Sequence, residues 1–80
     1  MLLQLALDTP DANFAYRLLN QTGSDVDIIE IGTPLLIRYG INIISKIKQK
    51  YPQNLILADL KIVDAGAIES RLAFDAGADI

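Results

Sequence analysis

Three short apolar runs alternate with helix-like segments along this chain of 80 residues, and this order constrains its fold more than any other feature. The runs span residues 2–7, 26–31 and 55–60, which is close to the usual length of a strand. Each run is almost continuously apolar, as is typical of parallel strands. Strands separated by helices pair in parallel through right-handed crossovers. The chain is therefore predicted to be an α/β protein, a parallel βαβαβα segment in which residues 78–80 start a fourth strand.

The first two helical regions carry recognisable start and stop signals. Thr9 is the predicted N-cap of the first helix, and Pro10 follows where a missing N–H costs nothing. Gly23 is expected to end that helix. The second region is predicted to contain a short helical turn over residues 35–39 and then a main helix that Pro52 stops.

The third helix is predicted over residues 65–76, directly after a short acidic turn. Asp64 precedes it, and aspartate is a favoured N-cap residue. Apolar side chains recur at helical spacing within it, so we expect a core stripe made of Ile68, Leu72 and Ala76.

Composition excludes several classes of function. The net charge of −3 offers no basic surface for nucleic acid. No apolar run approaches the roughly 20 residues of a membrane span, and no cationic leader resembling a signal peptide is expected. The chain has no cysteine, which excludes disulfides and thiolate chemistry and fits a cytoplasmic protein. It also has no histidine, so it cannot supply a Ser-His, Cys-His or His-ligated zinc site.

Charged side chains stand at the ends of all three predicted strands. Asp8 follows the first run, Glu30 lies near the end of the second, and Asp59 lies near the end of the third, with Lys61 and Asp64 just beyond. Parallel strands place their carboxyl ends at one edge of the sheet, and in α/β folds that edge binds ligands. We therefore expect these five side chains to converge.

Electrostatics indicate that such a cluster needs a cation. Four carboxylates against one lysine leave an excess of three negative charges. Two like charges about 4 Å apart cost on the order of 4 kcal/mol at an effective dielectric constant near 20. Either a positive ion joins them or some carboxylates stay protonated.

Structural roles compete with each functional interpretation. Asp8 could form an Asx turn, and Asp64 could cap the helix that follows it. Asp59 and Lys61 could form a structural ion pair, although such pairs stabilise poorly when they are buried. Glu30 is harder to explain in this way, because isoleucines surround it in a strand that looks buried.

Four segments resemble the N-terminal part of the 3-hexulose-6-phosphate synthase family, which belongs to the orotidine 5′-monophosphate decarboxylase superfamily of (β/α)8 TIM barrels. The Asp-x-Lys-x-x-Asp pattern marks the superfamily, and a glutamate at position 30 suggests its metal-using branch. The resemblance implies that residues 1–80 form part of a (β/α)8 barrel domain, with three βα units and the start of a fourth strand. The segments are Leu5-Ala6-Leu7-Asp8, Glu30-Ile31-Gly32-Thr33-Pro34, Ala58-Asp59-Leu60-Lys61-Ile62-Val63-Asp64-Ala65-Gly66 and Ala76-Gly77-Ala78-Asp79.

The resemblance also implies a reaction and a role for each strand-end residue. Family members condense formaldehyde with ribulose 5-phosphate through a 1,2-enediolate held on Mg²⁺. By resemblance, Glu30 and Asp59 are the metal ligands, while Asp8 and Lys61 are catalytic and bind the sugar-phosphate substrate. The resemblance also implies that Asp64 is a catalytic residue that reaches across the interface of a homodimer into the partner's site. The family's phosphate-binding loops match nothing in this chain.

Other functions remain open. The related 3-keto-L-gulonate 6-phosphate decarboxylases typically have alanine where Leu60 stands and lack a proline at the position of Pro34, so these two residues favour the synthase. A non-catalytic βα module that assembles with other chains is a further alternative. A closed barrel typically needs 200 residues or more. We therefore expect a fragment of a larger enzyme, with one side of its sheet left uncovered.

Overall fold

The computed structural model describes residues 1–80 and confirms a three-stranded parallel sheet with helices between its strands. Strand order follows chain order, β1-β2-β3, so each strand pairs with the one that precedes or follows it. The elements are β1 (Gln4–Leu7), α1 (Ala12–Thr22), a 3-10 turn (Gly23–Asp25), β2 (Ile28–Ile31), α2 (Thr33–Tyr39), α3 (Asn42–Lys50), β3 (Leu55–Ala58) and α4 (Gly66–Asp75).

The register aligns the carboxyl ends of the three strands. Leu7 at the end of β1 lies opposite Ile31 at the end of β2, and Ile31 lies opposite Ala58 at the end of β3. Each strand is four residues long rather than the six predicted. The strands nevertheless stop at one level, so the residues that follow them emerge side by side.

The two faces of the sheet differ in burial. Leu7, Ile29, Ile31 and Ile56 face the helices and are at most 1% exposed. They join a core to which every helix contributes, namely Ala15, Leu19, Leu35, Leu36, Ile43, Ile44, Ile47 and Ala73. The opposite side, which we call the open face, carries side chains that are half-buried or exposed: Gln4, Ala6, Ile28, Glu30, Leu55 and Leu57. The expectation of one uncovered side is confirmed.

The first helix begins two residues later than predicted. Asp11 is its N-cap, and the Oδ1 atom of Asp11 accepts hydrogen bonds from the backbone N–H groups of Asn13 (2.9 Å) and Phe14 (3.3 Å). Thr9 instead accepts from the backbone N–H of Asp11 through its hydroxyl oxygen, at 3.1 Å. The assignment of Thr9 as N-cap was wrong, because aspartate ranks above threonine as a cap and stands within reach of the same helix.

The fourth helix differs from its prediction in two respects. Ala65 occupies the N-cap position without a side-chain hydrogen bond, so Asp64 is not the cap. Ile68 and Leu72 are 68% and 54% exposed, whereas Ala73 is the buried residue. The expected stripe was wrong at Ile68 and Leu72, because helical spacing identifies an apolar face but not whether a neighbouring element covers it. Its third member, Ala76, is partly buried against the core as expected. In this chain α4 contacts the core through the small side chain of Ala73.

Residues 78–80 lie against the free edge of β3 without forming a regular strand. Asp79 N–H and Ile80 N–H donate to the Ile56 carbonyl at 2.7 and 3.0 Å, and Ala58 N–H donates to the Ile80 carbonyl at 3.0 Å. The Asp79 carboxylate accepts from Lys48 Nζ and from Ile56 N–H, both at 2.9 Å. The hydrogen bond from Lys48, followed by that from Ile56, lowers the pKa of Asp79.

None of the helices combines the length and the apolar character that crossing a membrane requires.

Candidate active site

The strand ends place three residues in one row on the open face. Asp8, Gly32 and Asp59 each follow directly on the aligned positions Leu7, Ile31 and Ala58. The backbone pairing continues to this level, because Gly32 N–H donates to the Leu7 carbonyl (3.1 Å) and Asp59 N–H donates to the Ile31 carbonyl (3.0 Å). Side chains two residues apart on a strand share a face. Glu30 therefore lies on the same face as this row, one repeat nearer the middle of β2.

Gly32 provides the space in the middle of the row. A Cβ atom at this position would lie 2.5 Å from the Leu7 carbonyl oxygen and would also collide with Oδ1 of Asp8. The Asp8 carboxylate consequently occupies the volume that a side chain on the central strand would fill. The missing side chain brings Asp8 towards the centre of the row, between the first and third strands.

Lys61 and Asp59 form an ion pair at the end of β3. The Lys61 ammonium donates a hydrogen bond to Oδ2 of Asp59, and the two side chains are 68% and 27% exposed. Lys61 has a φ of 53°, in the left-handed backbone region that residues other than glycine rarely adopt. This conformation turns the backbone three residues after the end of β3, and the ammonium contacts an acid two positions earlier in the chain.

Three carboxylates act on the Lys61 ammonium. The hydrogen bond that Lys61 donates to Asp59 raises the pKa of Lys61, and the negative charges of Asp59, Glu30 and Asp8 raise it further. The lysine therefore stays charged at neutral pH. The structure brings together Asp8, Glu30, Asp59 and Lys61, as their positions at the strand ends led us to expect.

Glu30 has a hydrogen-bond partner that sequence reasoning missed. Gln4, at the start of β1, donates from Nε2 to Oε1 of Glu30 at 2.6 Å. The signal was present in the sequence, because Gln4 is a polar residue inside an apolar run and shares the strand face of Ala6 and Asp8.

Thr33 is a second residue that the sequence analysis did not single out. Its hydroxyl donates to the backbone carbonyl of Asp59 at 2.8 Å, which joins the start of α2 to the end of β3. This bond fixes the backbone that carries Asp59 relative to the central strand. The sequence did offer a signal for this contact, because a hydroxyl-bearing residue follows directly after Gly32 at the end of β2.

Asp64 lies apart from this cluster. It is exposed in the turn before α4, and its carboxylate accepts no hydrogen bond within the chain. Its charge is not among those that raise the pKa of Lys61. The cluster therefore contains three carboxylates and one ammonium, a net charge of −2, rather than the −3 expected with Asp64 included.

The donor set fits a hard divalent cation that shares its coordination with other molecules. Asp59 gives one oxygen to Lys61 and Glu30 gives one to Gln4, so each carboxylate keeps a second oxygen without a partner in the chain. No group of three or more Asp, Glu, His or Cys side chains is arranged to hold a metal ion. Mg²⁺ usually takes one or two protein carboxylates and completes its shell with substrate oxygens and water. Two carboxylates and a local charge of −2 meet that requirement.

The surface grooves of about 400–420 Å³ are not lined by Asp8, Glu30 or Asp59. One groove of about 400 Å³ surrounds Gly23, Ser24 and Asn54, which precede β2 and β3 at the amino edge of the sheet. Its lining contains a single charged side chain, Lys50, and no carboxylate. Chemistry rather than concavity therefore identifies the carboxyl edge as the candidate site.

Comparison with known proteins gives matches along the whole chain. The model of the orotidine 5′-phosphate decarboxylase / HUMPS family matches residues 1–80. A 3-hexulose-6-phosphate synthase from Bacillus subtilis is 46% identical over 80 residues, which are 100% of this chain and 38% of that protein. A 3-keto-L-gulonate-6-phosphate decarboxylase from Escherichia coli is 45% identical over 78 residues, covering 98% of this chain and 36% of that protein.

Solved structures agree with the sequence matches. The crystal structure of 3-hexulose-6-phosphate synthase from Salmonella typhimurium superposes with a TM-score of 0.93 at 56% identity, over 99% of this chain and 37% of that one. This chain therefore has the architecture of the N-terminal part of a (β/α)8 barrel, as predicted. It spans less than two fifths of the length of the relatives named above.

The clash at Gly32 leads to a prediction about stability. We expect Gly32→Ala to lower the free energy of unfolding by about 1–3 kcal/mol, the usual cost of adding atoms to a filled space. Urea unfolding of the protein followed by circular dichroism measures this change.

Gly66→Ala is the matched control. A Cβ atom there would make only an ordinary contact, 3.7 Å from Cγ2 of Ile62. It should change the free energy of unfolding by less than about 1 kcal/mol, and in the favourable direction, because Gly66 is the first residue of α4. Equal losses in the two variants would contradict the role given to Gly32.

Proposed function

The chain belongs to the orotidine 5′-phosphate decarboxylase / HUMPS family, and on this basis we propose that it forms part of an aldehyde-lyase of the 3-hexulose-6-phosphate synthase type. The proposed reaction condenses formaldehyde with ribulose 5-phosphate. The observation that carries the proposal is the cluster of Asp8, Glu30, Asp59 and Lys61 at the carboxyl edge of the sheet. Identities of 46% and 56% to two synthases support it.

The acids and the lysine divide the chemistry between them. Glu30 and Asp59 would hold Mg²⁺ through the oxygens they leave free, and the bound ion would supply positive charge to substrate oxygens that become negative. Lys61 holds a second positive charge beside Asp59, and its raised pKa keeps the ammonium protonated there. Asp8, whose carboxylate lies beside Gly32, would accept a hydrogen bond from a substrate hydroxyl.

The second candidate is decarboxylation of 3-keto-L-gulonate 6-phosphate. The specific observation in its favour is the Escherichia coli decarboxylase, which is 45% identical to this chain. Two residues favour the synthase. Leu60 packs half-buried against the core where the decarboxylases typically have alanine, and Pro34 lies in the first turn of α2 where they lack proline. A non-catalytic βα module is the outcome if the protein turns over neither substrate.

A shared site in a homodimer is also part of the proposal. Asp64 is exposed and has no partner within the chain, which leaves its carboxylate free to act in a second subunit. We place the reaction in the cytoplasm, because a chain without cysteine forms no disulfides that would require an oxidising compartment.

We expect synthase activity that depends on a divalent metal. Formation of hexulose phosphate from formaldehyde and ribulose 5-phosphate should stop when a chelator is added and return with Mg²⁺. Loss of a hydrogen-bonding partner behind a metal ligand typically costs 10- to 100-fold, so loss of the ligand itself in Glu30→Gln should cost about 100-fold or more.

Asp25→Asn is the control for that experiment, because Asp25 is an exposed acid in the turn before β2 and lies outside the cluster. It should retain the activity of the unaltered protein. Turnover that survives the chelator, or a Glu30→Gln variant as active as the control, would contradict the metal-dependent reaction. Faster decarboxylation of 3-keto-L-gulonate 6-phosphate would instead favour the second candidate.

The shared site can be tested by mixing two inactive variants. If Asp64 serves the partner's Lys61, a dimer of Lys61→Ala and Asp64→Asn subunits contains one intact site and one doubly altered site. Random pairing into two-fold symmetric dimers should then restore about a quarter of the activity of the unaltered protein. If both residues act in the same subunit, every site keeps a defect and the mixture stays inactive.

A further inference from the structure

The Glu30 carboxylate accepts a hydrogen bond from one side chain of the same chain, that of Gln4. Gln4 Nε2 donates to Glu30 Oε1 at 2.6 Å, and Glu30 makes no other side-chain hydrogen bond. Gln4 is exposed at the start of β1 on the open face, whereas Glu30 is half-buried in the central strand. The sheet itself does not need this bond, because the backbones of β1 and β2 already pair in register.

The register explains why a long side chain is required at position 4. Ala6 lies directly opposite Glu30, and Gln4 lies opposite Ile28, one repeat towards the amino edge. Residues two apart along a strand are separated by about 6.6 Å, so the Gln4 side chain must extend along the sheet to meet the carboxylate. From that side it engages Oε1 and leaves Oε2 without a partner.

The two proposed metal ligands, Glu30 and Asp59, have hydrogen-bonding partners of different charge. Asp59 is paired with an ammonium, which offsets its negative charge. Glu30 is paired with a neutral amide, which orients the carboxylate without offsetting its charge. Glu30 therefore offers its full negative charge in a fixed orientation, and a cation gains more from it than from a freely rotating carboxylate.

We propose that Gln4 is a positioning residue that orients the Glu30 carboxylate for a divalent cation. The inference rests on the proposed function, because it assigns Glu30 as a metal ligand. Hydrogen-bonding partners of metal ligands typically contribute about 10- to 100-fold to metal affinity. The Gln4 amide is expected to contribute within that range.

The test uses Gln4→Met, which keeps approximately the length of the side chain and removes its amide, including the N–H group that donates to Glu30. Mn²⁺ alone is the probe, and electron paramagnetic resonance of the free ion measures its dissociation constant without any turnover. We expect the constant to rise about 10- to 100-fold in Gln4→Met. In the condensation assay, the Mn²⁺ concentration for half-maximal rate should rise by the same factor, while kcat at saturating Mn²⁺ stays within about twofold of the unaltered protein.

Gln49→Met is the matched control, since Gln49 is an exposed glutamine on α3 with no side-chain hydrogen bond. It should bind Mn²⁺ as the unaltered protein does. Circular dichroism checks that each variant folds. If Gln4→Met does not fold, Gln4→Asn replaces it, because its amide is one methylene too short and should show the same loss of affinity.

The outcomes separate this inference from the proposed function. An unaltered protein that is active and binds Mn²⁺, together with a Gln4 variant that binds it equally well, would overturn the role of Gln4 alone. Equal weakening in the Gln4 and Gln49 variants would also overturn it. Failure of the unaltered protein to bind Mn²⁺ would overturn both the metal-dependent function and the inference.

Discussion

The alignment of the strand ends is the constraint on which the candidate site depends. Leu7, Ile31 and Ala58 lie opposite one another in a parallel ladder, so the residues that follow them share one level. Burial of the helix-facing isoleucines fixes this register, because a slip by one residue would turn every buried side chain to the uncovered face. Gly32 then leaves room in the row, and the Asp8 carboxylate lies where a side chain would otherwise be.

Charge accumulates at this edge because the strands are parallel and their acidic ends coincide. Lys61 offsets part of it, and its left-handed backbone lets the ammonium contact Asp59. Gln4 and Lys61 each occupy one oxygen of an acid, and both leave the other oxygen available. Partial exposure on the open face keeps the cost of holding unpaired charge lower than it would be in a closed core.

The sequence predicted the parallel α/β order and the clustering of Asp8, Glu30, Asp59 and Lys61, because both follow from strand spacing and from the geometry of parallel sheets. It also placed Asp64 in that cluster, which was wrong, because Asp64 lies in the exposed turn before α4 and not at a strand end. It misplaced the first N-cap at Thr9, whereas Asp11, a residue type that ranks above threonine as a cap, accepts the hydrogen bonds from the first turn of α1. It assigned Ile68 to the core because a periodic pattern does not reveal what covers a helix. The partners Gln4 and Thr33 were missed because their contacts cross between strands and depend on register.

We propose that Glu30 and Asp59 hold one divalent ion between neighbouring strand ends. A crystal structure of the protein grown with Mn²⁺, with anomalous scattering recorded at the manganese edge, tests it most directly. We expect one strong peak within about 2.5 Å of a carboxylate oxygen from each of the two residues. A peak bound elsewhere, or no peak near these residues at millimolar Mn²⁺, would contradict it.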